Sequence, residues 1–190
     1  MNRSPKRKKD VTHDRIVEAS ARAIRKHGYD GVSVAEVMKS AGLTHGGFYA
    51  HFESRETMLS EAVDRAGADT VALLTRVVGG ADGEPPLHAL IRSYLSHKHV
   101  ERVDTGCPIA ALGSDTPRQA PEVRKSANRR IKEMIDLVAR ESPDWGQPGN
   151  HEQALVTVST MVGALILARS VDDPTLVDTV RDELLKQLSN

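Results

Sequence analysis

The chain has 190 residues, 39% hydrophobic and 27% charged, which suits one domain, or a small one joined to a larger, with a core that needs no staples. A single cysteine, Cys107, excludes an internal disulfide and fits a reducing cytosol; no stretch approaches the roughly 20 apolar residues of a bilayer span, and residues 1–9 lack the apolar run of a secretory signal. Net charge is zero, yet residues 1–60 carry 11 Lys/Arg against 7 Asp/Glu (+4) and residues 61–190 carry 15 against 19 (−4), so a polyanionic partner is expected for the first third only.

In chain order, Arg3, Lys6, Arg7, Lys8 and Lys9 stand without an apolar anchor, and residues 1–10 read as a basic flexible arm. Ile16, Ala19, Ala23 and Ile24 recur at three-to-four spacing and predict a helix over 12–27, capped by Thr12 and ended by Gly28. Ser33 followed three residues later by Glu36 is a capping box, opening a short helix over 33–41 with Val34, Val37, Met38 and Ala41 inward. Gly42 breaks that helix, and Thr44 caps a third, about eight residues long, over HGGFYAHF. Ser54 opens a fourth that continues to Val78, where Gly79 and Gly80 stop it. Residues 86–101 read as one amphipathic segment and 108–113 as a short piece. Residues 122–141 form a long charged helix whose stripe is Val123, Ile131, Met134, Ile135 and Val138. A loop holds Trp145, the most apolar helix spans 151–171, and 174–188 closes the chain. No hairpin-like alternation and no internal repeat occurs, so the fold class is all-α.

Two short helices joined by a tight glycine turn, over about 33–52, form a helix-turn-helix pattern. Its third helix is shorter than the ~12–15 residues a helix needs to stand alone. It also gives two positions to Gly46 and Gly47, each costing about 1 kcal/mol relative to alanine. Glycines there remove side chains and let a phosphate approach the backbone. Half of the six aromatic residues, Phe48, Tyr49 and Phe52, lie in this stretch. Phe48 and Phe52, four apart, share the inward face with Ile24 and Val37. Tyr49 falls outside it with Thr44, His45 and His51, offering hydroxyls and imidazoles to phosphates or base edges, and Arg55 adds a phosphate contact.

Residues 11–71 resemble the DNA-binding domain of the TetR/AcrR family of regulators. The likeness rests on Ile16, Ala19, Gly28, Gly31, Ser33, Val34, Val37, Ala41-Gly42-Leu43, Gly46, Tyr49, His51-Phe52 and Leu59. Gly47 stands where a small hydroxyl residue or alanine is usual, Ala50 where a larger side chain is frequent, and Arg55 where lysine is usual. The resemblance implies that the third helix enters the major groove of double-stranded operator DNA, with Ser33, Thr44, Tyr49 and Arg55 on phosphates and His45 and His51 near bases or backbone. It also implies that the arm reaches a neighbouring minor groove, and that residues 72–190 form an effector-binding and dimerising body. The expected protein is a cytoplasmic homodimeric repressor, released from a pseudo-palindromic operator by a small molecule, without cofactor, metal or enzymatic activity.

In the body, the last two helices are the dimer candidates, through Leu155, Val158, Met161, Val162, Leu165 and Ile166 and then Leu176, Val177, Val180, Leu184 and Leu188. Their other reading is an intramolecular core. Cys107, beside a glycine and a proline at a helix start, is either a redox or electrophile sensor or a buried structural thiol. Tyr94, Met134 and Met161 join it as candidate effector-pocket residues, against ordinary core packing. His97 and His99 diverge at i, i+2 on a helix and make no metal half-site. An enzyme using Cys107 as nucleophile and an effector-independent DNA or protein scaffold are the rival classes; the former lacks an activating group placed by sequence and any phosphate loop.

Overall fold

The computed structural model describes residues 8–188, and every element among them is helical. Arg3, Lys6 and Arg7 of the basic arm lie outside the described residues. Helix α1 spans Lys8–His27 and buries Ile16, Val17, Ser20, Ala21 and Ile24 on one face. It starts four residues before the expected cap: the Thr12 hydroxyl instead donates to the Lys8 carbonyl one turn back, at 3.0 Å. That bond satisfies the side chain inside a helix and leaves Thr12 without a capping role. Gly28, at φ +75°, ends the helix.

Helix α2 (Val34–Ser40) and a 3-10 turn (His45–Ala50) follow, then α3 (Arg55–Gly79), whose Ser54 cap accepts from the Thr57 amide. Ile16, Ile24, Val37, Phe48, Phe52 and Leu59 meet in one core, which also takes in Leu112 and Val123. Helix α3 runs from this core into the body, where α4 (Pro86–Tyr94), α5 (His97–Glu101), α6 (Pro108–Leu112), α7 (Pro121–Glu141), α8 (Asn150–Ser170) and α9 (Pro174–Leu188) surround a second core. The expected single segment over 86–101 is broken. Ser96 is extended, donates its hydroxyl to the Ser93 carbonyl and caps α5 at the His99 amide. The break turns His99 inward.

The main packing in the body is α3 against α7. Arg130 lies across α3 where Gly67 has no side chain; a Cβ there would sit 2.5 Å from the Arg130 stem. Its guanidinium donates to both Asp64 oxygens at 2.8 and 2.7 Å, and Arg129 reaches the same carboxylate. Burial pushes the Asp64 carboxyl up, but these two arginines outweigh it and hold its pKa below the usual range.

Helix α8 corrects one sequence expectation. By length and composition it is apolar enough to cross a membrane; here it packs between α7 and α9 and leaves a solvent-facing apolar stripe. Leu155, Val156, Ile166 and Leu167 are exposed, with Leu176 of α9 nearby in sequence.

Candidate nucleic-acid interface

The interface is built from two short helices whose ends are fixed by local hydrogen bonds. Ser33, extended, accepts from the Glu36 amide at 3.2 Å and donates to the Glu36 carboxylate at 2.8 Å. The Ser33 proton is therefore spent on the cap, leaving an exposed oxygen. At the other end of α2 the Leu43 amide reaches the Met38 carbonyl and the Gly42 amide the Lys39 carbonyl, at 2.8 and 2.9 Å. This is a Schellman closure, and it needs the positive φ that Gly42 adopts, +68°.

Thr44 then leads into the 3-10 turn and makes no side-chain cap hydrogen bond. Phe48 is buried, stacks on Phe52 at 5.5 Å, and carries Tyr49 edge-on at 5.2 Å. Tyr49 itself is 73% exposed. Thr44, His45 and Gly46 are exposed beside it, and Gly47 is half-buried. Neither glycine has positive φ. A Cβ on Gly46 would meet nothing within 4 Å, and one on Gly47 would meet only the Met38 methyl, at 3.6 Å. The folded chain itself has no use for a glycine at 46.

Two of the expected contacts differ. The Arg55 guanidinium is half-buried and donates to the carbonyls of Tyr29 and Val32, the latter at 3.3 Å, tying the start of α3 to the loop before α2. His51 is half-buried rather than outward-facing, and its Nδ1 is enclosed without a partner. Burial first, then the proximity of His13 and Lys9, lowers its pKa.

His13 is the residue that the sequence reading missed. Its ring stacks on Phe52 at 4.6 Å, stands 6.0 Å from the His51 ring, and its Nε2 lies 2.6 Å from Glu61 of α3. It clamps the end of the recognition turn between α1 and α3. Its spacing from Ile16 and Val17, three and four residues on, already placed it on the buried face of α1.

The four candidate effector residues come together, but in packed core. Tyr94, Cys107, Met134 and Met161 are at most 1% exposed and belong to one cluster. His99 organises their polar edge. Its Nδ1 lies 2.6 Å from the Tyr94 carbonyl, and its Nε2 accepts the Cys107 amide at 2.9 Å. A carbonyl only accepts and an amide only donates, so the proton sits on Nδ1. Arg169 of α8 donates to the His99 and Val100 carbonyls at 2.7 and 3.2 Å, in space that exists because Gly106 lacks a Cβ. His97, by contrast, turns outward to Asp178 of α9, at 3.0 Å.

Burial, assisted by Arg169, holds His99 down from 6.5 to about 4. Between those values the unfolded chain takes up a proton that the folded chain refuses, so stability falls as pH drops through that window, by roughly 3 kcal/mol in all. Chemical denaturation at pH 7 and pH 4.5 is expected to show this slope, and His99→Gln, which cannot protonate, to flatten it. An unchanged slope in the variant would assign the titration to another group.

A family model described as bacterial regulatory proteins, tetR family, matches residues 16–62. An HTH-type transcriptional regulator of Mycobacterium tuberculosis is 32% identical over 180 residues, covering 90% of this chain and 91% of its own. A TetR transcriptional regulator from Chloroflexus aurantiacus shares the fold with a TM-score of 0.79 at 24% identity, over 97% of this chain and 98% of its own. The reduced form of Escherichia coli NemR does so with a TM-score of 0.77 at 17% identity, over 92% and 95%. The two solved structures carry the fold and the mycobacterial relative the kinship: this chain belongs to the TetR family of bacterial transcriptional regulators, and its helix-turn-helix is that family's DNA-binding element.

Proposed function

We propose that the protein is a cytoplasmic repressor that binds a pseudo-palindromic operator as a homodimer and leaves it when a small molecule binds the body. The observation that carries this reading is the bare tip at Gly46 beside an exposed Tyr49, held out by a buried Phe48–Phe52 pair. In it, Thr44 and Tyr49 meet phosphates, Gly46 and Gly47 admit the backbone, and His45 reaches bases; Ser33 donates to a phosphate only by turning its proton away from the Glu36 carboxylate. Arg55 and His51 act through position, fixing the turn from behind, and Arg55 adds a phosphate contact only through N–H groups its two carbonyls leave free.

Selection of bound DNA from a random library tests the reading, run with the wild type and with Tyr49→Ala. The wild type is expected to enrich one inverted repeat, and the variant to lose at least tenfold in affinity for it. Equal binding by both would remove Tyr49 from the interface, and no enriched sequence at all would end the operator reading.

The apolar stripe of α8 supports dimerisation through the last two helices. A second mode of release has a specific observation in its favour: Arg25 Nε and Arg169 Nη1 are buried without partners, and both arginines and the Tyr94 hydroxyl interact with Cys107. Those donors can be accepted by the oxygen of an oxidised sulfur. In that mode a peroxide would transfer one oxygen to the Cys107 sulfur, giving a sulfenic acid and leaving as water or alcohol. Cys107→Ser is then expected to keep operator binding and to lose peroxide-driven release; an unchanged release ends the idea.

A further inference from the structure

A cleft of about 370 Å³ opens where the DNA-binding unit meets the body. Its walls are mostly apolar: Val63 of α3, Ile109 of α6, Pro117 in the turn after α6, and Ala127 and Ile131 of α7. None of the residues first expected to hold an effector lines it. The size, and an apolar wall with a few placed polar groups, are those of a small-molecule site.

The polar groups are specific. Thr116 donates its one hydroxyl proton to the Leu112 carbonyl at 2.9 Å. In the 3.2 Å contact between Tyr29 and Thr116 the phenol is therefore the donor. Burial raises the Tyr29 pKa, so that proton stays in place. Arg130, also in the wall, is neutralised by Asp64 and Glu133. Arg124, at the cleft, is exposed, and its guanidinium has no partner among the described residues. Asn128 beside it likewise offers an amide with no side-chain partner. An apolar slot with an unneutralised guanidinium and a free amide at its edge matches an apolar body bearing one negative charge.

We infer that this cleft binds a small aromatic or alicyclic acid, its ring system between Val63, Ile109 and Ile131 and its anionic group on Arg124 and Asn128. The site also has a direct mechanical link to the DNA-binding unit. Tyr29 touches the cleft with its side chain, while its backbone carbonyl is held by Arg55 at the start of α3. The next residues lead through Val32, also held by Arg55, to the Ser33 cap of α2. A ligand that moves the Tyr29 ring therefore pulls on the segment that sets the recognition turn. This role as the effector site rests on the release mechanism proposed above; the binding site itself does not.

The test uses the full-length protein and the fluorescent anion 1-anilinonaphthalene-8-sulfonate, which joins an aromatic body to one negative charge. Wild type is expected to bind one probe per subunit saturably. Ala127→Trp, which fills the cleft, and Asn128→Trp, which covers its mouth, are each expected to weaken binding at least tenfold. Arg124→Gln should weaken it several-fold, and more at low salt than at high salt. Circular dichroism and operator binding check that each variant is folded, and the two tryptophan variants reach the cleft from different positions so that one misfolded protein does not decide the matter. Undiminished probe binding in folded tryptophan variants would overturn the site. Probe bound in the cleft with operator affinity unchanged would uphold the site and overturn the release mechanism instead.

Discussion

Replacing Gly46 with alanine is expected to leave the fold at least as stable and to cost operator affinity about a hundredfold. The first half follows from geometry. Gly46 has no positive φ to satisfy, and an added methyl meets no atom of the protein within 4 Å. Alanine reduces the freedom of the unfolded chain, which favours the folded state by about 0.4–1 kcal/mol. The second half follows from what a glycine at an exposed position leaves open. If a phosphate lies against the backbone there, a methyl displaces it and weakens charge-assisted hydrogen bonds worth about 1.5–3 kcal/mol each. A loss of about 1.4 kcal/mol per half-site is tenfold, and the two halves of a dimer site multiply. Fluorescence anisotropy on the selected operator, paired with denaturation curves, reads both halves at once. A variant that loses stability and affinity together would make the glycine structural, and one that keeps both would leave this turn off the DNA.

Where local chemistry decides, the sequence was readable. The Ser33–Glu36 cap, the Gly42 break and the placing of Phe48 in and Tyr49 out all depend on residues within a few positions of each other, and the structure has each of them. The misreadings have separate physical causes. Serine and threonine both start helices and bond back inside them, so Thr12 could not be told from a cap. The break at Ser96 is favoured by His99 bonding to Cys107, eight residues away, a contact that no helical period reveals. Arg55 is expected on a phosphate from its place at a helix start and from the family resemblance; the carbonyls that hold it belong to a loop 23 and 26 residues earlier. Tyr94, Met134 and Met161 are residue types that packed core and pocket wall share. The cleft under Tyr29 was invisible for the opposite reason. Its lining comes from separate segments, each of which reads as unremarkable alone.

A glutamate at Val156 is expected to split the dimer and to lower operator affinity on the order of a thousandfold, toward the level of non-specific binding. Val156 and Leu167 are 63% and 57% exposed in the single chain, so a polar replacement there leaves the folded subunit nearly untouched. Between them along α8 lie Ser159 and Gly163, and a Cβ at Gly163 would meet nothing within 4 Å. A glycine inside a helix costs about 0.5–1 kcal/mol, and nothing within the subunit offsets that. In the dimer proposed above, a second α8 crossing closely at that point would. In a two-fold interface each substitution occurs twice on facing surfaces, so Val156→Glu buries two like charges and costs several kcal/mol. Trp145→Glu supplies the control, since Trp145 is 55% exposed in the α7–α8 loop and lies outside α8. Light scattering should find Val156→Glu monomeric and Trp145→Glu dimeric, with operator binding following the same division. A Val156→Glu protein that remains dimeric would move the interface off α8, because a carboxylate buried within a packed helix pair has no water to keep its charge.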